Sequence, residues 1–454
     1  MGSQNFTFPA ALTPAGWQDD VSVAIDGHGM ITAVTPGSRV GEAIAGAAVP
    51  AMPNVHSHAH QRLMLGLAEC AGPGADSFWT WREAMYGFAL RLGPEDLEAV
   101  AAQLYVEMLK AGFSVVGEFQ YLHHQPDGRP YEEPAELSLR CISAAEQAGI
   151  AITMLPTLYA HGGFGGKPPA AGQRRFINSA ESYLAIWQTL HSACANHPLR
   201  RLGLSPHSFR AVTAELLETV LKGVAPDAPV HVHIAEQVKE VEDCLAWSGK
   251  RPVEMMLDTF DVSARWTAIH ATHMTEAETA GLARSGAIAG LCPTTEANLG
   301  DGIFPATRYI RAGGAIAIGS DSHISVSPAE DLRMLEYSQR LRDLTRNALA
   351  GGPGQSTGRS LHDAALAGGA RSMAQPVGAI APGHRADITV LDTGHPLLAG
   401  RAGDALLDTW IFAVGNAVVK DVLVGGRRVV VDRHHINEDE IAARFRAAVK
   451  RLTP

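Results

Sequence analysis

Two histidines one residue apart, His56 and His58, follow the short apolar run Ala47-Ala48-Val49-Pro50-Ala51-Met52. In extended chain alternate side chains share a face, so both imidazoles point the same way. Paired imidazoles at a strand's carboxyl end make half of a zinc-type site; alone, they could equally be polar residues in a wet loop. Further ligand-type residues stand at the ends of other strand-like runs. These are His233 with Glu236 three positions on, His270, and Asp321 in Gly319-Ser320-Asp321-Ser322. Taken singly, His233 reads as a hydrogen-bonded core histidine, Glu236 as a helix N-terminal carboxylate and Asp321 as a helix cap. Converging on one mouth, three imidazoles and a carboxylate suit a four- to five-coordinate divalent ion with room for water. His231 shares a face with His233 but lies deeper, about 6–7 Å back along the strand, and reads as structural. His273 reads as polarity at a helix start.

A shared mouth requires parallel strands. After residue 50, strand and helix alternate, the mark of a parallel sheet. The His-x-His strand comes first. Phe113 to Phe119, Ile150 to Leu155, Leu202 to Pro206, Val230 to Ile234, Thr267 to His270, Ala287 to Leu291 and Ala315 to Gly319 follow. Amphipathic helices are expected between them, at Pro94 to Lys110 (closed by Gly112), Ala135 to Gln147, Ala180 to Ala195 and Thr213 to Lys222. Eight such strands predict an α/β fold, a (β/α)₈ TIM-type barrel with its chemistry at the strands' carboxyl ends.

Residues 1–50 look different. Val21 to Ile25 alternates, Asp26-Gly27-His28-Gly29 is turn chemistry, and Met30 to Val34 resumes the strand. That hairpin is too small to bury its own face. Strand-like partners appear at the other end: Ala386 to Leu391, Trp410 to Val414, and Val422 to Val424 turning at Gly425-Gly426 into Arg428 to Val431. The expectation is a small β-sandwich from residues 1–50 plus 378–437, a barrel over 51–377, and a C-terminal helix over 438–454. Residues 162–169 are a candidate lid, and 351–354 a simple loop.

Composition bounds the rest. The 454 residues are 46% hydrophobic and 19% charged, enough for a large core in a soluble, globular chain. No window offers the roughly 18 uncharged apolar residues of a membrane span, and the first residues lack a secretory pattern. Five scattered cysteines without a Cys-x-x-Cys pair read as reduced thiols in a cytoplasmic protein. The net charge of −10 disfavours nucleic acid and anionic membranes as partners. An anionic substrate must therefore be captured by local arginines.

The constellation resembles the amidohydrolase superfamily, in its branch of mononuclear deaminases related to cytosine deaminase. There, His-x-His ends the first strand, a His with Glu three further on ends the fifth, a His ends the sixth and an Asp the eighth. The resemblance spans the barrel and includes the flanking sandwich. Binuclear relatives supply a bridging lysine from the fourth strand; here that strand runs into Ser205-Pro206-His207-Ser208-Phe209-Arg210. One divalent ion is therefore implied, with Zn²⁺ foremost, although iron and manganese take similar donors. The implied ligands are His56, His58, His233 and Asp321, and the implied catalytic groups Glu236, His270 and Asp321.

Local motifs narrow this further. Pro53-Asn54-Val55-His56-Ser57-His58, Phe78-Trp79-Thr80-Trp81-Arg82-Glu83, Ser205 to Arg210, Cys292 to Gly302 and Ser320 to Ser325 are similar to those of deiminases acting on a formimino-substituted dicarboxylate. His60 departs from the pattern, which leads one to expect an aromatic residue there. A small dicarboxylate substrate is implied, with Arg82 and Arg210 as forks for its carboxylates. Gln61, Tyr121 and His207 match the substrate contacts. A homodimer is also implied. The expected reaction is hydrolytic release of ammonia from a linear amidine. Two other activities suit the scaffold: deamination of a purine- or pyrimidine-type base, which wants a flat apolar slot, and imidazolonepropionase-like opening of a cyclic amide. A silent barrel used only for binding would have been free to lose the ligand set.

Overall fold

The computed structural model describes residues 2–70 and 78–452. Its centre is a closed ring of parallel strands. Met52–Ser57, Phe113–Gln120, Ala151–Leu158 and the broken fourth strand (Arg200–Leu202, then Ser205–Pro206) form one arc. Val230–Ile234, Trp266–His270, Ile288–Leu291 and Ala315–Ile318 form the other. Parallel bridges Leu204↔Val230 and Ser57↔Asp321 join the arcs. Strands buried on both faces should be apolar almost throughout, and every residue of Phe113–Gln120 and Ala151–Leu158 is buried.

Helices pack outside. Pro94–Ala111 starts on a proline and ends at Gly112, whose φ of 100° is left-handed. A side chain at Gly112 would also press on Thr389 at 3.3 Å. Gly319 serves a second close approach: a Cβ there would meet His56 at 2.8 Å. The end of the eighth strand can thus lie directly against the His-x-His strand.

Strands from both ends of the chain join one nine-stranded sheet. Ala47–Pro50 is its hinge, parallel to Gln4–Thr13 on one side and antiparallel to Ile388–Leu391 on the other. The sheet folds over a core of its own, in which Phe6, Phe8, Val21 and Val23 meet Ile388, Val390 and Leu423. The C-terminal helix, Glu438–Leu452, is tied to Pro94–Ala111 by Lys110–Glu438 (2.6 Å) and Arg444–Glu98 (3.0 Å). Positions 453 and 454 of the expected helix lie outside the described residues.

Two expectations need correcting. Trp410 to Val414 is not a strand: it continues the helix Asp404–Thr409 as a wider turn that ends at Gly415. Its β-branched and aromatic side chains suit a strand, but Trp410 and Ile411 are buried in the main core, and packing overrides propensity. The fourth strand is also broken in two, with Gly203 N–H on Met154 O (2.9 Å) to one side and Leu204 bridging Val230 to the other. The candidate lid is a tight turn, with Gly162 N–H on Lys167 O (2.8 Å) and Phe164 stacked 5.8 Å from Trp247. No helix among the described residues is long and apolar enough to cross a membrane.

Candidate active site

The five donors arrive on four strand ends. His56 and His58 leave Met52–Ser57, His233 sits near the end of Val230–Ile234, His270 ends Trp266–His270, and Asp321 follows Ala315–Ile318. The Nε2 atoms of His56 and His233 are 2.9 Å apart. Asp321 Oδ1 lies 3.4 Å from Nε2 of both His56 and His58. His270 Nε2 is 3.8 Å from Asp321 Oδ2 and 3.7 Å from Glu236 Oε1. His270 and Asp321 turn inward with φ of 68° and 47°, a left-handed conformation that concentrates at functional sites.

The donor set passes a chemical test for a cation. His58 Nδ1 donates to Phe119 O and His233 Nδ1 to His207 O, each at 2.9 Å. Their Nε2 atoms therefore face the cluster, that of His58 toward Asp321 and that of His233 toward His56. Such crowding of acceptors is resolved by a metal ion, with carbonyls fixing the tautomers behind it. Burial holds His56, His58 and His233 below the usual imidazole range, so they are neutral, the form that ligates. Two overlapping buried triads have donor atoms within 4.8 Å of one another, His56, His58 and His233 in one and His56, His270 and Asp321 in the other, and either could hold a divalent ion.

The groups beside them are held as firmly. Burial pushes the Glu236 carboxyl up, to about 7, against the pull of His270. Glu240 accepts the backbone N–H groups of Ala235 (3.2 Å) and Glu236 (3.1 Å). Burial alone would depress His270; Glu236 first, with Glu296 and Asp321, holds it above the imidazole range instead. Glu296 Oε1 sits 3.3 Å from His270 Nδ1 and accepts from Cys292 N at 2.9 Å.

Above the cluster opens a pocket of about 570 Å³. Ten of the eleven residues singled out in the sequence line it, and the eleventh, His56, lies just beneath. The Arg82 guanidinium sits 4.5 Å from the Trp79 ring centre and that of Arg210 5.8 Å from the same ring, within cation–π range. The Nε atoms of both arginines are buried without a hydrogen-bond partner. Among the described residues Arg82 has Glu83 alone as an ion-pair partner, at 3.8 Å, and Arg210 has none. The Tyr121 hydroxyl is 2.8 Å from His60 Nε2 and 3.0 Å from Gln61 Nε2. His60, the departure from the expected pattern, thus touches a pocket residue. His207 Nδ1 is 3.2 Å from Ser208 Oγ. His231 bonds Ser372 O (3.0 Å) and His273 bonds Asp301 O (2.7 Å), away from the cluster.

Sequence reasoning passed over Glu118, Glu240 and Glu296, buried carboxylates that hold site segments in place. One signal was available: Glu118 is the only charged residue in Phe113–Gln120.

Fold and site together define the class. The chain belongs to the amidohydrolase family, whose profile matches residues 47–429, and is a hydrolase acting on C–N bonds. Formimidoylglutamate deiminase of Pseudomonas aeruginosa is 54% identical to it over 439 residues, 96% of either chain. The crystal structure of an amidohydrolase from Brucella melitensis is 49% identical and superposes with a TM-score of 0.94, covering 99% of this chain and 100% of that one. An adenosine deaminase from Xanthomonas campestris with bound zinc, 23% identical, shares the fold with a TM-score of 0.83 over 99% and 98% of the two chains.

Proposed function

We propose that the chain hydrolyses N-formimino-L-glutamate to N-formyl-L-glutamate and ammonia, a step of histidine degradation. The observation that carries this reading is the pair Arg82 and Arg210, gathered on Trp79 in the pocket, the Nε atom of each buried without a hydrogen-bond partner among the described residues. A guanidinium partly out of water wants an anion with two oxygens, and this substrate brings two carboxylates. The 54% identity to the Pseudomonas deiminase supports the same choice.

A divalent ion, zinc in our reading, held by His56, His58, His233 and Asp321 would lower the pKa of water from near 16 toward about 7. Arg82 and Arg210 anchor the carboxylates, while Gln61, Tyr121 and His207 orient the formimino end. Water attacks the formimino carbon as Asp321 accepts its first proton, with His270 beside it orienting the oxygen. Glu236, 3.7 Å from His270 Nε2, carries that proton to the formimino nitrogen, then takes the hydroxyl proton as the carbonyl forms and delivers it to the same nitrogen as the C–N bond breaks. The leaving group is then ammonia.

A second reading has one observation in its favour. Phe78, Trp81, Tyr86, Tyr159 and Phe176 all line the pocket, and such walls also suit a flat purine- or pyrimidine-type base. Metal analysis with an ammonia-release assay decides between them. The proposal expects about one divalent ion per chain, loss of activity on chelation, and turnover of formiminoglutamate but not of free bases. Faster turnover of a base would overturn it. The cysteines are free, which supports a reduced, cytoplasmic setting, and the exposed Leu341 and Leu344 support a homodimer.

A further inference from the structure

Several buried carboxylates lie outside the pocket lining and the ligand set, and Glu118 is the one gripping the segment that carries His58. Glu118 is 1% exposed, lies on the second barrel strand, and is absent from the pocket lining. Its Oε1 accepts from Ala59 N at 2.8 Å, and its Oε2 from Ser57 Oγ at 2.7 Å and Tyr105 OH at 3.0 Å. Ser57 and Ala59 are the two neighbours of His58. The next residue, Phe119, accepts from the His58 ring. Glu118 and Phe119 therefore grip the backbone on both sides of His58 and its imidazole.

The grip extends across the barrel seam. Ser57 Oγ lies 3.2 Å from His323 Nε2, which also accepts from His58 N at 3.2 Å. His323 Nδ1 then reaches Ser320 Oγ at 3.0 Å. Asn54 closes the circuit, with its Nδ2 2.6 Å from Ser320 Oγ and its Oδ1 3.0 Å from Ser320 N. This polar chain spans the turn that carries Asp321, where Asp321 and His323 hold φ of 47° and 62°. Such a turn persists only when its surroundings fix it. A buried carboxylate without a cationic partner is costly, so its retention beside the ligand loops calls for a reason.

We propose that Glu118 is a positioning residue for the metal centre: by clamping Ser57 and Ala59 it fixes His58, and through Ser57 and His323 it fixes the turn bearing Asp321. This role rests on reading His56, His58, His233 and Asp321 as ligands. It involves no contact with substrate.

The test measures zinc affinity of the full chain by competition with a chromophoric chelator, with the melting temperature of the stripped protein recorded beside it. Glu118→Gln keeps the shape but replaces one acceptor with a donor, and should weaken zinc binding about 10–100-fold, the usual cost of a lost outer-shell partner. Ser57→Ala removes a single link and should shift affinity the same way. Tyr105→Phe removes the one Glu118 bond that leads away from the site and should leave affinity within about threefold, below the outer-shell effect. At saturating zinc, KM in Glu118→Gln should stay near wild type. If Glu118→Gln fails to fold, Ser57→Ala against Tyr105→Phe carries the comparison. Zinc affinity unchanged in Glu118→Gln and Ser57→Ala overturns the role, and so does an equal loss in Tyr105→Phe, because the effect would then follow fold stability. Wild-type protein that binds no divalent ion overturns the ligand reading itself.

Discussion

The Gln61 amide nitrogen lies 3.0 Å from the Tyr121 hydroxyl, and the Gln61 carboxamide oxygen is buried with no partner. Tyr121 thereby sets which end of the amide is left as an acceptor for a substrate N–H. Tyr121→Phe frees that amide to rotate and should raise KM about fivefold to tenfold, the value of one neutral hydrogen bond, with a smaller change in kcat. Steady-state kinetics on formiminoglutamate checks this; an unchanged KM would remove Tyr121 and Gln61 from binding.

Arg210→Ala should raise KM for the dianion by roughly ten- to a hundredfold, the range of a charge-assisted bond. Arg210→Lys should recover only part of it, because a point charge cannot make two parallel bonds. Arg82→Ala acts in the same direction. If both alanine variants bind formiminoglutamate normally, the carboxylates are held elsewhere.

Glu236→Gln keeps the size of the side chain but cannot carry the proton. It should bind a full complement of metal while kcat falls about 10²- to 10⁴-fold. Metal analysis and turnover on the same preparation separate the two properties. Near-normal turnover would assign the proton to another group.

Acid should loosen the fold at His123, two residues along the chain from the pocket residue Tyr121. Burial holds the His123 imidazole down, to about 4, although its Nε2 bonds Thr157 O at 2.8 Å. In the unfolded chain the same group titrates near 6.5. Between those values the unfolded state binds more protons, so this contribution is whole above about pH 6.5 and is lost as pH falls toward 4. The fall in melting temperature between about pH 7.5 and pH 5, a span crossing that window, should be smaller in His123→Gln than in wild type. Equal slopes would assign the acid sensitivity to other groups.

The residues that meet at the strand ends could be picked out in the sequence because each follows an apolar run, and strand alternation turns His56 and His58 to one side. His56, His58, His233, His270 and Asp321 needed only local geometry. Glu118, Glu240 and Glu296 did not stand out, since their work consists of contacts between segments far apart in the chain, as with Glu118 and Ser57. Trp410 to Val414 misled for a related reason: its side chains favour a strand locally, while the buried surface it meets makes it helical. Arg82 and Arg210 could be proposed one by one, but their meeting on Trp79 could not.

Ala47–Pro50 takes one neighbour from the first residues of the chain and the other from Ile388–Leu391. A ribosome adding about 5–20 residues per second leaves that strand half-paired for some tens of seconds. Through this interval the nascent polypeptide carries an open edge of Ala-Ala-Val, the kind of edge that recruits a stray strand. Manufacture of this enzyme is thus most vulnerable before Ile388–Leu391 emerges, and chaperone demand should peak there.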